Sequence, residues 1–121
     1  MIKILVIDDD PAMQDAFRLI FERAQYNVIV FTCASSLLTG SAEVPDIYIL
    51  DKQLPGVDGL DVCRFLKADP RTAHVPVIMV SASPHIARLA KEACADDFLE
   101  KPFRRRELLD LVQQLISERE T

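Results

Sequence analysis

Three aspartates, Asp8, Asp9 and Asp10, follow the apolar run Ile2-Lys3-Ile4-Leu5-Val6-Ile7, and a fourth, Asp51, ends Ile47-Tyr48-Ile49-Leu50. Ser81 follows Val75–Val80 in the same way, and Lys101 lies just past Asp97-Phe98-Leu99. Carboxylates brought together at strand ends repel: two of them ~5 Å apart, at an effective dielectric of ~20, cost roughly 3 kcal/mol. Such a set either holds protons or recruits a cation. Hard carboxylate oxygens with few protein ligands select Mg²⁺, which keeps several waters and binds alongside phosphate oxygens. A carboxylate beside that ion can attack a phosphoryl group and become an aspartyl phosphate. The charge that develops on the transferred group then calls for a metal, a cation and a hydroxyl. Asp51, Asp8 with Asp9, Lys101 and Ser81 make up that set. Each has an ordinary reading when taken alone: a turn or cap aspartate, as Asp10 and Asp58 are read here, a turn serine, a solvated lysine. Their joint placement at strand ends argues for chemistry.

For these residues to meet, the strands that carry them must lie parallel and end on one edge of a sheet. Short apolar runs that end in an acid read as buried parallel strands, and in an open α/β sheet the chemistry sits at their carboxyl ends. The first strand is 2–7, followed by a helix from Pro11 to about Ala24, capped by Asp10, with Met13, Ala16, Phe17, Ile20 and Ala24 as its apolar face. Val28–Phe31 reads as a second strand, Ser35–Leu38 as a short helix ended by Gly40, and Asp46–Leu50 as the third strand. Asp58 caps a helix over Gly59–Lys67 that turns Leu60, Cys63 and Leu66 inward and is stopped by Asp69-Pro70. Val75–Val80 is the fourth strand, Pro84–Ala93 a helix and Asp97–Leu99 the fifth strand, and the last helix carries the stripe Leu108, Val112, Leu115 and Ile116. Five strands alternating with five helices make a doubly wound α/β fold with a five-stranded parallel sheet.

At 121 residues, half of them hydrophobic, the chain is expected to form one domain, residues 1–121, around a sizeable core. A net charge of −5 argues against direct contact with nucleic acid. Cys33, Cys63 and Cys94 show no metal-ligand spacing and read as small buried hydrophobes in a reducing compartment. There is no signal-peptide profile and no apolar stretch of the ~20 residues a membrane span needs, so the expectation is a cytoplasmic protein without membrane contact.

The whole chain resembles the receiver domain of bacterial two-component response regulators. The match runs through Val6-Ile7-Asp8-Asp9-Asp10, then Leu50-Asp51-Lys52-Gln53-Leu54-Pro55-Gly56-Val57-Asp58-Gly59, Val80-Ser81-Ala82, and Ala95-Asp96-Asp97-Phe98-Leu99-Glu100-Lys101-Pro102-Phe103. The resemblance implies a flavodoxin-like (βα)5 fold with strand order 2-1-3-4-5. It implies that Asp51 accepts a phosphoryl group from a phosphohistidine on a sensor histidine kinase or a histidine phosphotransferase. Mg²⁺ would be held directly by Asp9 and Asp51, through water by Asp8, and by the backbone carbonyl of Gln53. Ser81 would hydrogen-bond the phosphoryl group, Lys101 would pair with it, and small Ala82 would leave access to it. The resemblance implies self-phosphorylation and autodephosphorylation rather than a turnover enzyme, with a downstream protein as target. It also implies a cis Lys101-Pro102 bond.

Departures from the family pattern shape the remaining expectations. Phe98 stands where the switch aromatic is often Tyr, so Ser81 and Phe98 make up the switch without a phenol. Cys94 stands where a Gly is usual, which predicts a strained left-handed helix end. The Ser81–Lys101 interval is about two residues short, which trims the fourth helix or the loop before it. Gln53 and Ser83 flank the path of a hydrolytic water; neither is an acid, and they read either as ordinary loop residues or as residues that set the phosphoryl lifetime. Asp96, Asp97 and Glu107 resemble the acidic half of the family's dimer interface, but Leu111 and Glu118 replace its bases, which points to a monomer or weak dimer. Arg104-Arg105-Arg106 open the last helix against its dipole; they read either as a solvated basic turn whose stems cover apolar surface or as a seat for an acidic partner surface. A degenerate receiver that works as a phosphorylation-independent binding module is the alternative. A flavodoxin-like enzyme needs a Ser/Thr/Gly phosphate loop where three acids stand, and a Mg²⁺-dependent aspartate phosphatase needs an acid at the place of Gln53.

Overall fold

The computed structural model describes residues 1–120. Its elements are β1 (Lys3–Ile7), α1 (Pro11–Arg23), β2 (Asn27–Phe31), α2 (Ser35–Leu38), β3 (Ile47–Asp51), α3 (Gly59–Ala68), β4 (Val77–Ser81), α4 (Ile86–Glu92), β5 (Asp97–Glu100) and α5 (Arg105–Glu120). A small antiparallel ribbon, Gln53–Leu54 against Val57–Asp58, follows β3. The five strands form one parallel sheet in the order β2-β1-β3-β4-β5, as expected.

Alternation along each strand divides the core between two faces. Ile4, Val6, Ile47, Ile49, Ile78 and Val80 pack with Phe17 and Phe21 of α1 and with Leu108, Val112 and Leu115 of α5. Leu5, Ile7, Tyr48, Leu50, Val77 and Met79 pack on the other face under α2, α3 and α4. With both faces covered, the strands read as continuous apolar runs. Tyr48 is buried there, and desolvation pushes its phenol up to about 12.

Several local expectations change. The buried seam of α1 is Phe17 and Phe21, spaced for one face, while Met13, Ala16 and Ile20 are half-buried flanks and Ala24 is the exposed C-cap. On α5, Ile116 is half-buried beside the buried Leu108, Val112 and Leu115. β4 starts at Val77, because Val75 and Pro76 belong to the loop that Lys67 holds by donating to the Val75 carbonyl (2.8 Å). The fourth helix is short, Ile86–Glu92, since residues 84 and 85 form a turn in which the His85 amide donates to Ser83 Oγ (3.1 Å). Only one cysteine is a core residue. Cys63 is buried, which pushes its thiol up to about 11, whereas Cys33 and Cys94 are exposed in loops. A hydrogen bond with the Ser35 hydroxyl lowers the Cys33 thiol.

Cys94 is exposed because of how α4 ends. Its φ is 64°, and the amides of Cys94 and Ala95 donate back to the carbonyls of Lys91 (3.1 Å) and Ala90 (2.9 Å). That is a Schellman end, whose left-handed residue is best a glycine. α2 ends on Gly40 with φ 76°. α1 ends on Gln25 with φ 66°, and there the following Tyr26 packs its ring edge-on against Phe21, 6.0 Å between centroids. A left-handed L-residue costs ~1–2 kcal/mol, partly offset by the flexibility glycine adds to the unfolded chain. Cys94→Gly is therefore expected to raise stability by about 0.5–1 kcal/mol, a few degrees in melting temperature. Thermal and urea melts under reducing conditions check this, and a loss of stability would contradict the strain.

Candidate functional site

The register of the sheet builds the site. Ile7 pairs with Leu50, so Asp8 and Asp51 leave neighbouring strands at the same level. Asp51 pairs with Val80, and the Lys101 amide donates to the Ser81 carbonyl (2.8 Å), which brings the last strand's end beside them. The Lys101-Pro102 bond is cis. Lys101 Nζ lies 3.3 Å from both Asp8 Oδ2 and Asp51 Oδ2. The carboxylate oxygens of Asp8, Asp9 and Asp51 lie within 4.8 Å of one another.

Short-range hydrogen bonds fix two of the three carboxylates. Asp8 Oδ1 accepts the Asp10 amide (2.9 Å), and Asp51 Oδ1 accepts the Gln53 amide (3.3 Å). Asp10 and Asp58 cap α1 and α3 as expected, accepting the amides of Ala12 (3.0 Å) and Leu60 (2.9 Å). Gly59 meets the acceptor strand so closely that a Cβ there would stand 2.0 Å from the Asp51 carbonyl oxygen. Its amide donates to the Lys52 carbonyl at 2.6 Å. Only glycine leaves that contact open.

The charges are only partly balanced. Asp8 is 1% exposed and Asp51 8%, with Asp9 open to solvent. Burial raises the Asp51 carboxyl above its ordinary value, Asp8 pushes it further, and Lys101 pulls the other way without cancelling them. Burial by itself would lower Lys101, but the combined pull of Asp51 and Asp8 outweighs it and holds the ammonium above its ordinary value. Three carboxylates facing one ammonium leave a cluster with room for a hard cation, and the donor set is the all-oxygen kind that Mg²⁺ takes.

Ser81 is buried, and its Oγ accepts the Ser83 amide (3.0 Å). Ser83 in turn has its hydroxyl turned toward the start of α4, accepting the His85 amide. Gln53 is exposed on the ribbon, Ala82 is exposed, and Phe98 on β5 is 39% exposed. Sequence reasoning missed Gln14. From the first turn of α1 its amide nitrogen donates to the Asp8 carbonyl (2.6 Å) and to Thr32 Oγ1 (3.3 Å), tying the helix to the strand end. Its position four residues after the Asp10 cap was the only signal available.

Asp51 binds its proton more tightly in the fold than in the unfolded chain. Its contribution to stability is therefore full below about 3.8 and is lost as the pH climbs through the raised folded value. Lys101, held above 10.5, stays charged across that range. Metal-free Asp51→Asn lacks this titration. In melts with chelator, its melting temperature is expected to gain on the wild type's as pH rises from about 3.8 toward neutrality. A gap that narrows instead would show that Lys101 outweighs burial.

Comparison with known proteins agrees with this geometry. A family profile described as the response regulator receiver domain matches residues 4–113. The DNA-binding response regulator MtrA of Mycolicibacterium smegmatis is 37% identical over 114 residues, which are 92% of this chain and 49% of that protein. The DNA-binding dual master transcriptional regulator RpaA of Synechocystis is 40% identical over 122 residues, 96% of this chain and 49% of its own length. The chain thus spans about half the length of these curated relatives. Among solved structures, the receiver domain of sensor histidine kinase PA1611 from Pseudomonas aeruginosa, with a magnesium ion coordinated in its active site cleft, matches with a TM-score of 0.86. It is 25% identical, and the match covers 96% of this chain and 98% of that one. Matched along nearly its whole length in sequence and in fold, the chain belongs to the family of response regulator receiver domains.

Proposed function

We propose that residues 1–121 form a phosphoacceptor domain in which Asp51 takes a phosphoryl group from a phosphohistidine on a sensor histidine kinase or histidine phosphotransferase. The observation that carries this reading is the meeting of Asp8, Asp9, Asp51 and Lys101 at one sheet edge. A carboxylate oxygen of Asp51 attacks phosphorus, the new O–P bond forms as the P–N bond to the donor imidazole breaks, and the imidazole leaves. Lys101 moves from its carboxylate partners to the incoming phosphoryl oxygens, and the Ser81 hydroxyl donates to another. Asp9 and Asp51 would hold Mg²⁺ directly, Asp8 through water, and Gln53 through its backbone carbonyl; the grouped carboxylates and the magnesium in the cleft of the PA1611 receiver domain support a metal at this place. When bound, the ion supplies positive charge to the phosphoryl oxygens. An apolar groove of about 380 Å³, lined in part by Met13, Ala16, Ala82, Pro102 and Phe103, opens beside Lys101 and gives the donor protein a seat.

The domain works by self-phosphorylation and autodephosphorylation, with no turnover of a separate substrate. Loading draws the Ser81 hydroxyl away from the Ser83 amide, and Phe98, now exposed, turns into the space this opens. The face formed by α4, β5 and α5 then presents itself to a downstream protein. DNA binding is stated in the names of MtrA and RpaA, proteins about twice as long as the matched stretch. For this stretch, with its net charge of −5, we assign protein contacts alone. The acids that resembled half of a dimer interface are engaged within the chain. Asp96 pairs with Lys67 (2.6 Å), Asp97 accepts the Phe98 amide (2.9 Å), and Glu107 accepts the Arg104 amide (2.9 Å). That supports a monomer or weak dimer, which sedimentation with and without beryllofluoride checks.

Incubation with acetyl phosphate and Mg²⁺ is expected to add one phosphoryl group, read by intact mass. Asp51→Asn is expected to abolish the gain. Asp9→Asn is expected to weaken Mg²⁺ binding by more than about tenfold, since even residues outside a metal's ligand shell are worth that much. Phosphorylation that survives in Asp51→Asn would overturn the reading and favour a binding module.

Gln53→Ala tests the lifetime role separately. The aspartyl phosphate half-life is expected to change while Mg²⁺ affinity stays near wild type; an unchanged decay would make Gln53 an ordinary loop residue.

A further inference from the structure

The arginines at the start of α5 do not stand alone. Arg105 and Arg106 share a groove of about 350 Å³ with Arg23, from the last turn of α1, above a floor of Ile20, Ala24 and Leu109. Among the described residues none of these three guanidinium groups forms an ion pair, although the chain as a whole carries a net charge of −5. Arg105 and Arg106 also occupy a helix first turn, where positive charge is disfavoured. Arg104, the third arginine of the run, does not line the groove.

We propose that this groove is a docking site for an acidic, amphipathic helical segment of a partner protein. Its carboxylates lie on Arg23, Arg105 and Arg106, and an apolar side chain covers Ile20, Ala24 and Leu109. Charge complementarity identifies the occupant, and the apolar floor requires it to be amphipathic. The groove is flanked by two helices, the setting in which a third helix lays its apolar stripe. A nucleotide fits less well, because no aromatic ring is among the groove's lining residues to stack a base. Nucleic acid is disfavoured by the charge of the whole chain. The site needs no phosphoryl group on Asp51, so it stands or falls independently of the phosphoacceptor chemistry.

The test is a heteronuclear NMR titration of the isotope-labelled full chain. The probe is a peptide about 15 residues long, roughly four helical turns, with leucines and glutamates at three- and four-residue spacing. The same peptide with glutamine for glutamate, inorganic phosphate and a short DNA duplex serve as controls. The acidic peptide is expected to shift amide resonances of Ile20–Ala24 and Arg105–Gln113. Its affinity is expected to fall about tenfold in the glutamine peptide and in the triple variant Arg23→Ala/Arg105→Ala/Arg106→Ala. Three exposed ion pairs at ~0.5 kcal/mol each give that factor. Phosphoryl uptake from acetyl phosphate is expected to persist in the triple variant, which also shows that it is folded. Four outcomes overturn the proposal: no shift with the acidic peptide, an equal response to the glutamine peptide, a stronger response to phosphate or duplex, or self-association of the chain that the triple variant abolishes. The last would assign the groove to a second copy.

Discussion

The repulsion between Asp8 and Asp51, and its partial relief by Lys101, is the constraint on which the remaining structure depends. Sheet register fixes the two acids at one level of adjacent strands, nearly shielded from water, where neither can turn away. Charges in that position interact far more strongly than on a surface. Among the described residues, the cation that compensates them is an ammonium carried from the far end of the sequence, 3.3 Å from each. The topology can be understood as the arrangement that makes this possible. β3 sits centrally between β1 and β4, and β5 lies next to β4, so that its exit reaches back across the strand ends.

The opposite edge of the sheet shows what a resolved version of the same problem looks like. Asp46, just before β3, accepts the Lys3 amide (2.8 Å) and pairs with Arg119 (3.4 Å). Asp96, just before β5, accepts the Val77 amide (2.8 Å) and pairs with Lys67. Each acid there pins the start of the neighbouring strand and has its own cation. At the carboxyl edge acids outnumber cations, and two of the three are buried or nearly so. The fold is locally consistent at one end and frustrated at the other, which is where sites are generally found.

The sequence was informative wherever a residue's role is local or periodic. Strand runs ending in acid, the Asp10 and Asp58 caps and the burial of both sheet faces follow from spacing and propensity, and the five-strand order followed from the family likeness. The expectations that failed depend on neighbours far away in sequence. Nothing around Cys33 or Cys94 announces exposure; loop geometry decides it, and for Cys94 the Schellman end does. Asp96 is a surface acid, but its pairing with Lys67 and the Val77 amide could not be read because both are remote in the chain. Phe21 is absent from the expected α1 seam because Ile20 and Ala24 also satisfy helical spacing, and only packing against the sheet separates them. Gln14 carries no motif at all.

Gly59 has a mechanical consequence. With the Asp51 carbonyl pressed against its α-carbon and a 2.6 Å hydrogen bond to Lys52, the first turn of α3 and the acceptor's peptide unit form one stiff body. On the other side of the cluster, Ser81 leads into a turn held by two serine hydroxyls and then into a helix of only seven residues. The stiffness around Asp51 is therefore lopsided. A change in charge or bulk on its side chain finds no compliance toward α3, so the displacement is shed toward β4 and α4.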